Sequence, residues 1–234
     1  MLLYLQVKME VFMSKKVIIL NASPRKNFNT AQILKEALKG CESAGSEVEY
    51  IDLFDINFKG CRSCYACKTR GNRTKGLCAI NDDLKPVLEK ILNSNAVIIG
   101  TPIYCGDATG VFRNLVERMI FAAIKYMKDE TTGMMQRELD HNIPIGIINT
   151  MGATEEQYNR SYLPNMIEMN EFLMKAAFGY CETLNVFDTS HFLDYSKYEC
   201  NIFDGEHKKQ VRETQFPKDL EKAFHLGKRL VEMT

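Results

Sequence analysis

The chain has 234 residues with 30 basic and 30 acidic side chains, so its formal net charge is zero, and 45% of its residues are hydrophobic. That length can bury a full core in one domain, while the charge balance argues against a nucleic-acid binder and against a surface held to anionic lipid. No stretch approaches the ~20 apolar residues of a membrane-spanning helix, and the run from Leu2 to Leu5 is too short and lacks the basic start of a signal peptide, so the expected location is the cytoplasm.

Residues 1–13 read as an N-terminal extension, with Leu5, Val7, Met9 and Val11 alternating at a strand-like period of two. A single domain is expected over 14–234. Val17 to Leu20 is a short apolar run suited to a strand covered on both faces. A polar loop follows, then a helix from about Thr30 to Ala44 with Ile33, Leu34, Ala37 and Leu38 on one face. Val48 to Leu53 reads as the second strand. Asn81-Asp82-Asp83 can cap a helix running to about Asn93, with Pro86 tolerated in its first turn.

Ala96 to Gly100 is the third strand, and Gly110 to Lys128 a long helix. Ile143 to Ile148 is the fourth strand, Asn165 to Leu184 an amphipathic helix, Asn185 to Thr189 the fifth strand and Pro217 to Met233 a closing helix. The polar segment from Asp194 to Gln215 reads as a long surface connection. Strands alternating with helices imply an α/β fold with a parallel sheet and helices on both faces.

Three loops follow strands at what would be one edge of that sheet, where open α/β folds bind ligands. After strand one comes Asn21-Ala22-Ser23-Pro24-Arg25-Lys26-Asn27-Phe28-Asn29-Thr30. A helix start presents free N–H groups, Ser23, Asn29 and Thr30 add side-chain donors, and Arg25 and Lys26 add positive charge, a combination suited to a phosphate monoester. The glycines of a dinucleotide loop and the lysine pattern of a P-loop are missing. The plainer reading is a polar turn whose side chains only cap the helix.

After strand three, Thr101-Pro102-Ile103-Tyr104-Cys105-Gly106 offers a stiff proline, a flat amphipathic ring and a glycine that permits close backbone approach. After strand four, Asn149-Thr150-Met151-Gly152-Ala153 is a third small-residue loop. Each alone could be an ordinary strand exit. Together they suit a ligand with a phosphate and a planar heterocycle.

The segments Asn21–Thr30, Thr101–Tyr104 and the cysteine loop ending at Asn81-Asp82-Asp83 resemble the flavodoxin-like NAD(P)H-dependent FMN reductases, most closely their iron–sulfur flavoprotein branch. Asp194 to Tyr198 and Gln215 to Asp219 look like stretches found in the same proteins. The resemblance extends over residues 15–234 as an order of motifs. It implies a flavodoxin-like three-layer α/β/α sandwich with a five-stranded parallel sheet, order 2-1-3-4-5, and FMN held noncovalently at its carboxyl edge. Ser23, Arg25, Asn27, Asn29 and Thr30 would hold the phosphate. Pro102, Ile103, Tyr104 and Gly106 would flank the isoalloxazine, with Thr150, Met151 and Gly152 approaching from the other side. NAD(P)H would be the co-substrate, and a homodimer or homotetramer the expected assembly, with no nucleic-acid or membrane partner. No side chain is expected to act as acid, base or nucleophile, because flavin chemistry asks the protein mainly for binding and orientation. The rival function is an electron-transfer or redox-sensing protein without a small-molecule substrate; a flavodoxin-like scaffold that has lost its flavin is a third.

Eight cysteines are too sparse for a secreted disulfide scaffold, but four fall between residues 61 and 78. Cys61, Cys64 and Cys67 are spaced C-x2-C-x2-C, and Cys78 follows after ten residues. The run is similar to the start of a bacterial iron–sulfur motif, in a loop made basic by Lys59, Arg62, Lys68, Arg70, Arg73 and Lys75. The fourth cysteine comes later than in the iron–sulfur flavoproteins. A [4Fe–4S] cluster, free or redox-active thiols and a zinc site are therefore three open readings. Cys41, Cys105, Cys181 and Cys200 read as packing or bystander residues, and the four scattered histidines form no metal spacing. The stretch from Arg118 to Lys128, apolar on more than one face, is expected to meet a partner subunit.

Overall fold

The computed structural model describes residues 14–72, 74–131 and 133–234; the extension read over 1–13 lies outside them. In chain order the elements are β1 (Lys16–Asn21), α1 (Asn29–Ser43), β2 (Glu47–Asp52), α2 (Lys85–Leu92), β3 (Ala96–Tyr104), β4 (Asp107–Ala108) and α3 (Gly110–Ala123). There follow β5 (Ile124–Lys128), β6 (Met135–Arg137), β7 (Ile145–Thr150), α4 (Glu155–Asn159), α5 (Leu163–Phe178), β8 (Cys181–Val186), α6 (Gly205–Thr214) and α7 (Phe216–Glu232).

The main sheet runs β2-β1-β3-β7-β8, every neighbour parallel, with β4 folded back antiparallel on the end of β3. Leaving out the short β4, β5 and β6, this is the 2-1-3-4-5 order. Alternation along β1 shows why its apolar run is unbroken. Ile18 and Leu20 enter one core with α2, α3 and the end of α5, while Val17 and Ile19 enter the other with α1 and α7. A strand covered on both faces has no polar side to show.

Several element boundaries depart from the sequence expectation. The 110–128 helix stops at Ala123, because Ile124 to Lys128 pair antiparallel with Met135 to Arg137 as a separate hairpin. Met119, Ile120 and Ile124 are buried within this chain, so most of the apolar character of 118–128 is used internally; Tyr126 and Met127 remain exposed. The helix expected to Leu184 ends at Gly179, whose φ of +92° suits glycine. The fifth parallel strand therefore runs 181–186, not 185–189. The expected surface connection at 194–215 contains α6, capped by Asp204, whose carboxylate accepts from the Glu206 and His207 N–H groups at 2.9 and 3.2 Å. Asp82 does not cap α2: its carboxylate pairs with Arg118.

Candidate functional site

The loops after β1, β3, β7 and β8 meet at the carboxyl edge of the sheet around one small cleft. The first loop is tied from below. The Ser23 N–H donates to Asn21 Oδ1 (3.1 Å), the Asn21 amide donates to Asp52 (2.7 Å), and the Thr109 hydroxyl donates to the Ala22 carbonyl (2.9 Å). Helix α1 then begins after Phe28 with no side-chain cap. Its first N–H groups have no partner within the helix, yet Asn29 and Thr30 are buried. Such an end, beside buried Ser23 and the Arg25 guanidinium, is a donor set for an anion.

Ser23, Arg25, Asn29, Thr30, Pro102, Ile103, Tyr104, Thr150 and Gly152 all border this cleft. Three residues named with them from the sequence do not. Asn27 is exposed, with its side-chain oxygen accepting from Lys35 at 3.0 Å. Gly106 lies in the turn between β3 and β4, where Cys105 and Gly106 have φ of +51° and +81°, the positive pair that a two-residue hairpin favours. Met151 is buried in a small core with Tyr158, Leu163 and Ile167. Its N–H donates to Val186 and its carbonyl accepts from Thr189, so Met151 supports the loop from beneath.

Cys105 corrects a sequence expectation: it is exposed and not packed in the core, because it sits at the tip of the two-residue turn between β3 and β4. Tyr104 is 45% exposed, a ring partly open to solvent at the mouth of the cleft. The Thr30 and Thr150 hydroxyls bond each other at 2.7 Å and join the first loop to the third.

The loop after β8 carries no motif that stands out in the sequence. Its residues Thr189, Ser190 and His191 line the cleft, with the Asp188 and Thr189 N–H groups bonded to the Ala153 and Met151 carbonyls. Placing the fifth strand four residues too late hid them; Gly179 was the signal that would have moved it. The His191 ring stacks on Phe203 at 4.2 Å and lies against Gly152, where an added Cβ would stand 2.0 Å from His191 Cε1. Burial, helped by the Lys208 and Arg25 charges, lowers the His191 pKa, which favours a neutral ring. Arg25 lies 3.4 Å over the Phe28 ring and donates to the His191 carbonyl at 2.7 Å.

The cysteine loop packs on α3. Arg118, its side chain fully buried, donates to the carbonyls of Lys59 (3.4 Å) and Ile80 (3.3 Å) and to Asp82, pinning both ends of the loop. Cys64 is exposed and Cys78 buried, with Cys61 and Cys67 between these extremes. Left-handed Ser63 and Tyr65 flank Cys64. Bonding to the Ala66 N–H lowers the Cys64 thiol pKa, whereas burial raises that of Cys67. Among the described residues, no three His, Cys, Asp or Glu side chains are grouped so as to hold a metal ion.

The comparisons with known proteins agree with this architecture. An iron-sulfur flavoprotein of Archaeoglobus fulgidus is 39% identical over 103 residues, 44% of this chain and 48% of that protein. One from Methanocaldococcus jannaschii is 34% identical over 103 residues, 44% of this chain and 51% of its own length. The chain thus spans about half the length of the curated relatives it matches. Among solved structures, an NAD(P)H:quinone oxidoreductase from Methanothermobacter marburgensis superposes with a TM-score of 0.63 at 16% identity, over 93% of this chain and 97% of that one. An azoreductase from Bacillus anthracis gives 0.62 at 16% identity, over 92% and 100%. At such identities the likeness establishes the flavodoxin-like fold. The model of the NADPH-dependent FMN reductase family matches residues 15–151, more than half of the sequence, and the chain belongs to that family.

Proposed function

We propose that the protein is an FMN-binding oxidoreductase that takes electrons from NAD(P)H and passes them through the flavin to an acceptor. The observation that carries the reading is the uncapped, buried start of α1, set beside Ser23, Thr30 and Arg25 at the same sheet edge as Pro102, Tyr104 and Gly152. The donor set fits a phosphate monoester, and the adjoining loops offer a flat ring, a proline and a glycine to a planar heterocycle.

Bound FMN would supply the redox chemistry, accepting a hydride from the nicotinamide and releasing electrons onward. The chain's own part is to bind and orient. Ser23, Thr30 and the first N–H groups of α1 hold the phosphate, and Arg25 adds charge from the solvent side. The Asn29 side chain is committed to protein partners: its amide donates to the Ser190 carbonyl at 2.8 Å and its oxygen accepts from Arg212 at 3.0 Å. It therefore braces the phosphate loop. Pro102, Ile103 and Tyr104 form one wall for the ring, and Thr150 with Gly152 the other. The His191 ring lies against Gly152 and borders the same wall.

The relatives' names carry an iron–sulfur cluster; Cys61, Cys64, Cys67 and Cys78 are the residues that would hold one here, and no step of this proposal is routed through it. Assembly as a homodimer or homotetramer belongs to the same proposal, supported by the exposed Tyr126, Met127 and Met135 on the β5–β6 hairpin; light scattering tests it. For the main reading, the FMN-loaded protein is mixed anaerobically with NADPH or NADH in a stopped-flow spectrometer. Bleaching of the flavin band by either is expected. A band unchanged by both removes the reductase activity.

A further inference from the structure

Helix α6 lies beyond residues 15–151, the part matched by the family, yet two of its side chains bond residues that line the candidate cofactor cleft, Gly152 and Asn29. Lys208 is 3% exposed, and a buried ammonium is costly unless its charge and its donors are satisfied. Its Nζ donates to the Gly152 carbonyl at 2.7 Å and to the Asp188 carboxylate. Asp188 is held from its other side by His207 Nε2 at 2.6 Å. One helical turn further on, Arg212 lies on the same face of α6. Its Nη1 donates to Asn29 Oδ1 at 3.0 Å and its Nη2 to the Gln32 side chain, while its guanidinium packs 3.9 Å over the Phe216 ring.

Lys208 and Arg212 thus hold opposite sides of the cleft from one rigid element. Lys208 holds the loop after β7 and Arg212 the start of α1. Glycine at 152 has no side chain to fix its own backbone, so the ammonium determines where that peptide sits. Without Arg212, Asn29 would keep only its amide bond to the Ser190 carbonyl, and its oxygen would lose its partner.

We propose that α6 is a clasp, with Lys208 the positioning residue for the ring side of the flavin site and Arg212 the positioning residue for its phosphate side. The inference rests on the flavin reading above and goes beyond it by assigning each half of the site to one side chain. It predicts two distinct ligand signatures. Loss of Arg212 loosens only the phosphate loop, so it weakens FMN and leaves riboflavin, which lacks the phosphate, almost unaffected. Loss of Lys208 loosens the Gly152 wall, so it weakens both ligands by a similar factor.

The test is titration of FMN and riboflavin, read by flavin fluorescence, into the full chain and the Lys208→Met and Arg212→Leu variants, with thermal midpoints measured in parallel. For Arg212→Leu, an affinity loss of at least about tenfold for FMN and less than about twofold for riboflavin is expected. For Lys208→Met, a loss of at least about fivefold for both is expected. If Lys208→Met does not fold, Asp188→Asn, which releases the ammonium from its other partner, carries the same expectation. Equal losses for both ligands in both variants, tracking a fall in thermal midpoint, would mean that α6 is only structural and would overturn the clasp; so would unchanged affinities. A wild-type chain that binds neither flavin removes the flavin reading itself and the clasp with it.

Discussion

Single side chains carry two of the more exposed commitments of this fold. Arg118 is a full charge with no exposed side-chain surface, and Asp82, itself partly open to solvent, neutralises it. Removing one partner of such a pair strands the other, which is far worse than removing both. Asp82→Ala is therefore expected to lower unfolding free energy by about 3 kcal/mol, the low end of the range for buried pairs, because water can reach part of the gap. Arg118→Met should cost less, and urea unfolding of the two variants checks the order. Asp188 makes a pH-dependent contribution. Burial works against its charge, but the bonds from Lys208 and His207 prevail and hold its carboxyl below the usual carboxylate range. A carboxyl depressed in the folded state binds its proton more weakly there than in the unfolded chain. Its stabilisation is then complete above the unfolded value, about 3.9, and is lost as pH falls further toward the folded value. Unfolding free energy measured from pH 5 to 2 should fall less steeply in Asp188→Asn than in the wild type. Asparagine also tolerates the left-handed backbone found at that position, φ +55°, so the variant isolates the charge. Equal slopes would show that the carboxylate contributes nothing.

Among elements, α1 and α7 pack backbone against backbone. Gly40 and Gly227 face each other's helix backbone: a Cβ at Gly40 would stand 2.0 Å from the Phe224 carbonyl oxygen, and one at Gly227 would stand 2.1 Å from that of Ala37. Neither overlap can be relieved by a rotamer change, because the obstacle is main chain. Alanine is the better helix former by about 1 kcal/mol, so the helix alone would gain from Gly40→Ala. The prediction is a net loss of about 1–3 kcal/mol, the range for overpacking a close-packed interior; a stabilised variant would show that the helices can slide apart freely. This contact was not legible in the sequence, since a glycine inside a helical pattern carries no sign of what it touches. The sheet was legible, because Val17–Leu20 and Ala96–Gly100 are short apolar runs without alternation, the pattern of strands buried on both faces. The phosphate-like loop was legible for a related reason, being a polar stretch between an apolar strand and an amphipathic helix. What failed was phase: reading α5 through Gly179 displaced β8 and concealed Thr189 to His191. Helix α6 was missed because its sequence, Gly205–Thr214, is nearly all polar, and it is held in place by the buried polar contacts of Lys208 and Arg212.

At the scale of the whole molecule, the cleft gathers residues 23–30, 102–104, 150–152 and 189–191, all far apart in sequence, with α6 braced across them. These segments hold together mainly through polar bonds such as Thr30 to Thr150 and Arg25 to the His191 carbonyl. A ligand that spans them binds only the assembled state, so it stabilises the fold by mass action. At a free concentration one hundred times its dissociation constant, the gain is about 2.7 kcal/mol. In a chain of this size each kcal/mol moves the thermal midpoint by roughly 2–4 °C, so saturating FMN should raise it by about 5–10 °C. Riboflavin reaches the ring loops but offers nothing to the start of α1, and inorganic phosphate does the reverse, so each should give a smaller shift at equal concentration. Thermal unfolding of the purified chain with each of the three compounds makes the comparison. A shift with phosphate equal to that with FMN would restrict the cleft to an anion site. No shift with FMN up to millimolar concentration would mean that these four loops are not joined by a flavin, and the uncapped start of α1 would need a different occupant.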